Sequence, residues 1–343
     1  MSRTDTGQTR SQSWRRLVPG VALALVLAAL ATPLGLLLPV IGAPVFAIVL
    51  GLLLGPLALR VGGRDRLEPG TGFAKGFLLQ LAVVVLGSGL SLLTVARVGF
   101  SSLPVMLGTL AICLVVAWFV GRRLGIDDDL TTLIGVGTAI CGASAIAAVS
   151  PVMKARSNDV AYAVSTIFLF NVAAVLAFPP LGHLLGLDQQ AFGLFAGTAV
   201  NDTSSVVAAA SVYGQEAANT AVVVKLTRTL MIIPIVLVLA AVVRRRDTSS
   251  PSTRSANPLR LVPWFLVGFL VAAGLNTLGV IPGAAQPALA HVGLFLITTA
   301  LAAIGVSTDV PALRRTGARP LVLGLVLWLT VAASSLVIQG VTG

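Results

Sequence analysis

The sequence predicts an all-α integral membrane protein of about eleven hydrophobic segments, with internal and inverted repeats whose broken or re-entrant helices form a core. Three observations lead there. Charged residues make up 10% and hydrophobic residues 56% of the chain, at a mean hydropathy of +0.98, whereas soluble domains carry about 25% charged residues. Apolar runs long enough to cross a bilayer, about 20 residues each, recur from end to end. Two of these runs are interrupted by glycines and polar residues, and they resemble one another.

The elements follow in chain order. Met1 to Arg16 is polar and basic and reads as a cytoplasmic tail. The apolar run 17–38 is too long for a signal-peptide core of about 7–15 residues, so it is the first span, with Arg15 and Arg16 at its inner end. Further segments lie at 43–60, 73–94, 103–121, 130–153, 160–183, 190–212 and 219–243, which makes 17–243 a block of eight. Residues 244–260, RRRDTSSPSTRSANPLR, form a cytoplasmic linker. Three more segments, 261–281, 288–309 and 319–341, fill 261–343.

Lysine and arginine orient the chain. With the N-terminus inside and every segment crossing, eighteen of the 23 basic residues fall in inner loops. Arg97, Lys154 and Arg156 fall outside, and Lys225 and Arg228 lie within a span. If 130–153 and 190–212 are instead re-entrant hairpins, Lys154 and Arg156 move inside and the ratio becomes twenty to one. Either way the positive-inside rule predicts a multi-pass protein of the cytoplasmic membrane, N-terminus inside and C-terminus outside. The net charge of +11 is spread over these loops, with no aromatic-interleaved basic groove, so no nucleic-acid partner is expected.

Several chemistries are not expected. Cys113 and Cys141 lie in separate apolar segments and read as buried packing residues. The histidines are His183 and His291, and no cluster has metal-ligand spacing, so neither metal nor cofactor is expected. No Ser/His/Asp set or HExxH run is present, which speaks against an enzyme.

The interrupted runs carry the polar chemistry. Gly137-Thr138-Ala139-Ile140 matches Gly197-Thr198-Ala199-Val200 sixty residues on, and Ser144 and Ala148 match Ser204 and Ala208. A fainter likeness links 77–110 to 295–326. Duplicated membrane units with Gly-interrupted segments point to a transporter binding site near the midplane. The first run, GVGTAICGASAIAAVSP, offers Thr138, Cys141, Gly142 and Ser144; its small residues also suit close helix packing. The second holds Asn201, Asp202, Thr203, Ser204 and Ser205 in a row. Such a run is costly in hydrocarbon unless it faces a cavity, a partner or an ion path. Lys225 and Arg228, three apart, share a helix face. Asp202 can pair with one of them; one carboxylate against two cations leaves a positive charge suited to an anion. Asp309 is expected to cap or pair with Arg314 or Arg315, and Asp127, Asp128 and Asp129 to form an N-terminal helix cap.

The runs LIGVGTAICGASAIAAVSPVMKA, GTAVNDTSSVVAAA and AANTAVVVKLTRTLMIIP, continued by GLNTLGVIP and GVSTDVPALRRTGARPL, resemble the YeiH-like sulfate exporter family. The match covers nearly the whole chain after the tail. The resemblance implies the broken-helix core of the bile-acid and auxin transporter group and a sulfur oxyanion, sulfate or sulfite, as substrate. Some members carry His-Glu where this chain has Asn201-Asp202, so a coupling scheme that needs a histidine there does not transfer. The combined expectation is a secondary transporter that exports a small inorganic anion by alternating access, coupled to H+ or Na+. Its partners are the anion, the coupling ion and the lipid bilayer, and a homodimer stays open. The alternative is a cation/proton antiporter built on the Asn201-Asp202 pair.

Overall fold

The computed structural model describes residues 8–37, 42–232, 234–239, 264–308 and 318–342, and their secondary structure is helical throughout. The helices are α1 (Gln8–Leu37), α2 (Gly42–Gly62), α3 (Arg64–Phe73) and, after a π-helical turn at Ala74–Leu78, α4 (Leu79–Gly87). They continue with α5 (Leu92–Ser101), α6 (Leu103–Arg123), α7 (Asp128–Ala139), α8 (Ala143–Met153), α9 (Ser157–Leu184), α10 (Gln189–Ala199), α11 (Thr203–Tyr213) and α12 (Gln215–Thr229). The last three are α13 (Trp264–Thr277), α14 (Gln286–Ser307) and α15 (Ala318–Thr342). Among the described residues, eight stretches are long and apolar enough to cross a membrane. The protein is an all-helical membrane protein.

Every expected hydrophobic segment has a helical counterpart, with two differences. The segment expected at 73–94 is a helix running from Arg64 to Gly87. The run RDRLEPGTGF reads as a loop from its polar, Pro and Gly content, but Leu67, Gly70 and Thr71 are buried against α1. The short helix α5 follows where a connection was expected, N-capped by Ser91, whose hydroxyl accepts from Thr94 N at 3.1 Å. The linker 244–260, Asp309 and its expected partners Arg314 and Arg315 lie outside the described residues, as does part of the second copy of the fainter repeat.

The chain divides into two units, residues 1–89 with 271–309, and residues 90–270 with 310–343. The first is held by helices in glycine-mediated contact. A Cβ on Gly51 of α2 would stand 2.5 Å from the Ala302 carbonyl of α14, and one on Gly305 would stand 2.9 Å from Gly51 Cα. Lipid tails give helices no hydrophobic reason to associate, so close backbone approach supplies the van der Waals energy.

The second unit contains both interrupted segments, and each is a re-entrant hairpin. In the first, Arg156, just past α8, donates to Asp127 Oδ2, just before α7, at 2.5 Å, so the segment leaves on the side where it entered. Arg156 also donates to Asp159 Oδ2 at 2.8 Å. Those two carboxylates raise the already high pKa of the Arg156 guanidinium. In the second, the Tyr213 hydroxyl at the end of α11 donates to the Leu187 carbonyl before α10, and the Phe192 and Tyr213 rings stack at 3.8 Å. The base of the first hairpin meets the start of α9, and the base of the second meets its end, where Gly182 packs on Phe192 and Tyr213. The two hairpins therefore enter from opposite ends of a 28-residue helix, a span of about 42 Å. Their half-helices hold 11 or 12 residues, about 17 Å each, or half the hydrocarbon core of about 30 Å.

The sixty-residue repeat is visible in the element boundaries. α7 and α10 end at Ala139 and Ala199, α8 and α11 begin at Ala143 and Thr203, and they end at Met153 and Tyr213. Each period holds one crossing helix and one hairpin. A hairpin adds no net crossing, so the second copy is inverted.

Candidate functional site at the hairpin tips

The two hairpin tips meet halfway along α9. The tip of the first is Ile140-Cys141-Gly142, where Ile140 (φ −119°, ψ −86°) breaks the helix and Gly142 takes φ +69°. The tip of the second is Val200-Asn201-Asp202, with Val200 and Asp202 in extended backbone. A Cβ on Gly142 would lie 3.4 Å from Asp202 Cβ and 3.4 Å from Ile167 of α9. Glycine is required there by the positive φ, and it lets the tips touch.

α12 runs beside α10 in the same direction. Glu216 N donates to Gln189 Oε1 at 3.0 Å, Gly193 faces Ala217 and Thr220, and Gly197 faces Ala221 and Val224. This register carries Lys225 and Arg228 to the tips. Lys225 Nζ donates to the Ile140 carbonyl at 2.8 Å and the Val200 carbonyl at 2.9 Å. These two carbonyls are equivalent positions of the sixty-residue repeat, and one ammonium serves both. Arg228 Nε donates to the Ala139 carbonyl at 2.6 Å. Both cations are fully buried. Arg228 Nη1 and Nη2 find no hydrogen-bond partner.

Asp202 does not pair with either cation. It caps α11, with Oδ1 accepting from Ser205 N at 2.9 Å and Oδ2 accepting from the Ser205 hydroxyl at 2.8 Å. The repeat puts Gly142 at the matching cap of α8, so one carboxylate stands beside two helix N-termini. The charges can then be counted. Two helix C-termini, α7 and α10, contribute about −0.5 each, and Lys225 offsets them. Two N-termini, α8 and α11, contribute about +0.5 each, and Asp202 offsets them. Arg228 is left over, with no ion pair among the described residues.

The other sequence-predicted residues fall around this point. Thr138 is buried in the last turn of α7, and Cys141 is buried in the tip. Ser144, in the first turn of α8, is exposed, while Thr203 and Ser204, in the first turn of α11, are half-buried. First-turn N–H groups have no partner within their helix, which leaves these turns as donors toward the tips. Asn201 is buried; its N–H donates to Asn171 Oδ1 at 3.1 Å, and its own Oδ1 is without a partner. Cys113, from α6, is buried with Sγ 3.8 Å from the Gly135 carbonyl. Asn171 was missed by the sequence reading. Its signal was present as the one amide within the apolar run of segment 160–183, where a polar side chain inside the membrane calls for a partner or a cavity.

A cavity of about 270 Å³ opens at the base of the first hairpin, lined by Arg122, Asp128, Asp129, Thr132 and Gly135 among others. It reaches Gly135, one turn before the Ala139 carbonyl that holds Arg228.

The family model described as Conserved hypothetical protein 698 matches residues 19–324. The chain belongs to this family. Within the Conserved hypothetical protein 698 family, it is 44% identical over 331 residues to a UPF0324 membrane protein of Streptococcus pyogenes, covering 94% of this chain and 97% of the relative. A UPF0324 membrane protein of Fusobacterium nucleatum is 39% identical over 344 residues, covering 94% and 98%. One of Streptococcus pneumoniae is 43% identical over 332 residues, covering 94% and 97%. These are the relatives of the YeiH-like family that the quoted runs resemble. No solved structure matches the chain. The protein is thus a multi-pass membrane protein of the Conserved hypothetical protein 698 family, with paired hairpin tips at its core.

Proposed function

We propose that the protein is a secondary transporter of the cytoplasmic membrane that exports a small inorganic anion, sulfate or sulfite, by alternating access coupled to H+ or Na+. The observation that carries this reading is the Arg228 guanidinium, fully buried at the hairpin tips with Nη1 and Nη2 unpartnered. A buried guanidinium with open N–H groups is a fork that matches an oxyanion. The helix N-termini of α8 and α11, with Ser144, Thr203 and Ser204, supply further donors, as helix starts do for anions. The re-entrant geometry favours the twenty-to-one partition of lysine and arginine, with N-terminus inside and C-terminus outside. On that orientation the cavity at Asp128 and Gly135 faces the cytoplasm and is the entry route.

The reading is tested by uptake of labelled sulfite and sulfate into proteoliposomes under imposed pH and Na+ gradients. Saturable, gradient-driven flux that is lost in Arg228→Gln supports it; flux at the parental rate in that variant removes the anion site.

A second reading, a cation/proton antiporter, is favoured by Asp202 alone. Its carboxylate is half-buried and stands beside both helix N-termini at the point where the tips meet, and it is the acidic group of the Asn201-Asp202 pair. It predicts pH-dependent cation flux that ends with Asp202→Asn and ignores sulfate and sulfite.

A further inference from the structure

We infer that the Ile140 and Val200 carbonyls form a monovalent-cation seat that the chain fills with its own Lys225 ammonium, so that free Na+ does not bind at the hairpin tips. The seat is built symmetrically. Each carbonyl closes the first half-helix of its repeat, and each half-helix brings a C-terminal partial charge of about −0.5 to the same point. The sum is about one negative charge, which matches one monovalent cation and no more. Oxygen ligands are what a hard cation takes, and unwound carbonyls at broken helices are where coupling cations are coordinated. In this chain those oxygens are committed. Lys225 Nζ takes Ile140 and Val200, and Arg228 Nε takes the preceding carbonyl, Ala139. Both oxygens of Asp202 accept from Ser205, so the carboxylate faces donors rather than completing an oxygen cage. The groups around the ammonium are Arg228 on its own helix, Cys141 in the first tip and Asp202 in the second.

For the transport reading, on which this consequence rests, the coupling ion is then a proton. The seat itself does not depend on what is transported. Removing the ammonium leaves its two carbonyls and a cleared volume between the tips, into which a small free cation can move.

The test is thermal unfolding of the purified full-length protein in detergent, in chloride salts of equal concentration. Lys225→Ala is expected to unfold at lower temperature than the parent in choline chloride and to regain several degrees in ammonium chloride. Lys225→Met, which fills the space without charge, is expected to show no such recovery. The parent is expected to unfold at the same temperature in sodium and choline chloride. Equal unfolding of Lys225→Ala in ammonium and choline overturns the seat, and so does stabilisation of the parent by sodium over choline. Should Lys225→Ala not fold, the sodium comparison on the parent still decides. No substrate enters these measurements, so loss of the seat and loss of the anion reading are seen separately.

Discussion

At Asp202, capping and charge can be separated by substitution. Asparagine is as good an N-cap as aspartate, while alanine costs about 0.5–2 kcal/mol. Asp202→Asn is therefore expected to keep the unfolding temperature near the parent's and to lose coupled flux, whereas Asp202→Ala lowers both. Lys225→Ala leaves the Ile140 and Val200 carbonyls without their donor, at about 1–3 kcal/mol for each unsatisfied group. Arg228→Lys keeps the charge but loses the planar fork. In a flux assay it is expected to raise the anion KM well beyond tenfold, and an unchanged KM would show that the fork does not touch substrate. Most of these residues were legible in sequence, because a charge or a run of polar side chains inside an apolar segment is conspicuous. What they bond to was not. Pairing of Asp202 with a cation was the simple expectation, and the structure gives the carboxylate to Ser205 and the cations to backbone carbonyls. Backbone groups carry no sequence signal.

At the scale of elements, the hairpins depend on glycine at two kinds of place. Gly142 combines φ +69° with a neighbour at 3.4 Å. Gly142→Ala is expected to destabilise, since φ +69° with ψ −130° is a backbone that side chains rarely adopt, and holding a residue in such a region costs about 1–3 kcal/mol. Gly193 and Gly197 of α10 face α12 so closely that a Cβ would stand 2.7 to 2.9 Å from its atoms. Gly197→Val should force the helices apart and displace Lys225 from Val200, read as reduced yield of folded protein and a lower unfolding temperature. The small-residue spacing was visible in the sequence, and so was the sixty-residue likeness. Neither distinguishes a helix that crosses from one that turns back, because hydropathy measures apolar length and not direction.

For the molecule as a whole, the geometry places the two hairpin bases on opposite membrane faces. Single cysteines introduced at Lys154 and at Gly186, in a Cys113→Ser, Cys141→Ser background, are expected to react with membrane-impermeant reagent from opposite sides. Lys154 should be reached from the cytoplasm and Gly186 from outside. The reverse pattern, Lys154 reached from outside and Gly186 from the cytoplasm, would mean that the first interrupted segment crosses. The inverted relationship follows from the count of crossings in each period, one helix plus one hairpin, and so needs no separate origin.

The sequence by itself determined the class of molecule, its approximate number of apolar segments and the side chains that occupy its core. Those are matters of transfer free energy, which is set by composition along the chain. The tertiary structure decided that both broken segments are hairpins, that their tips meet at Gly142 and Asp202, and that Lys225 bridges two carbonyls sixty residues apart. These are contacts between elements distant in sequence, fixed by close backbone approach and by hydrogen bonds to main-chain groups that every residue possesses alike.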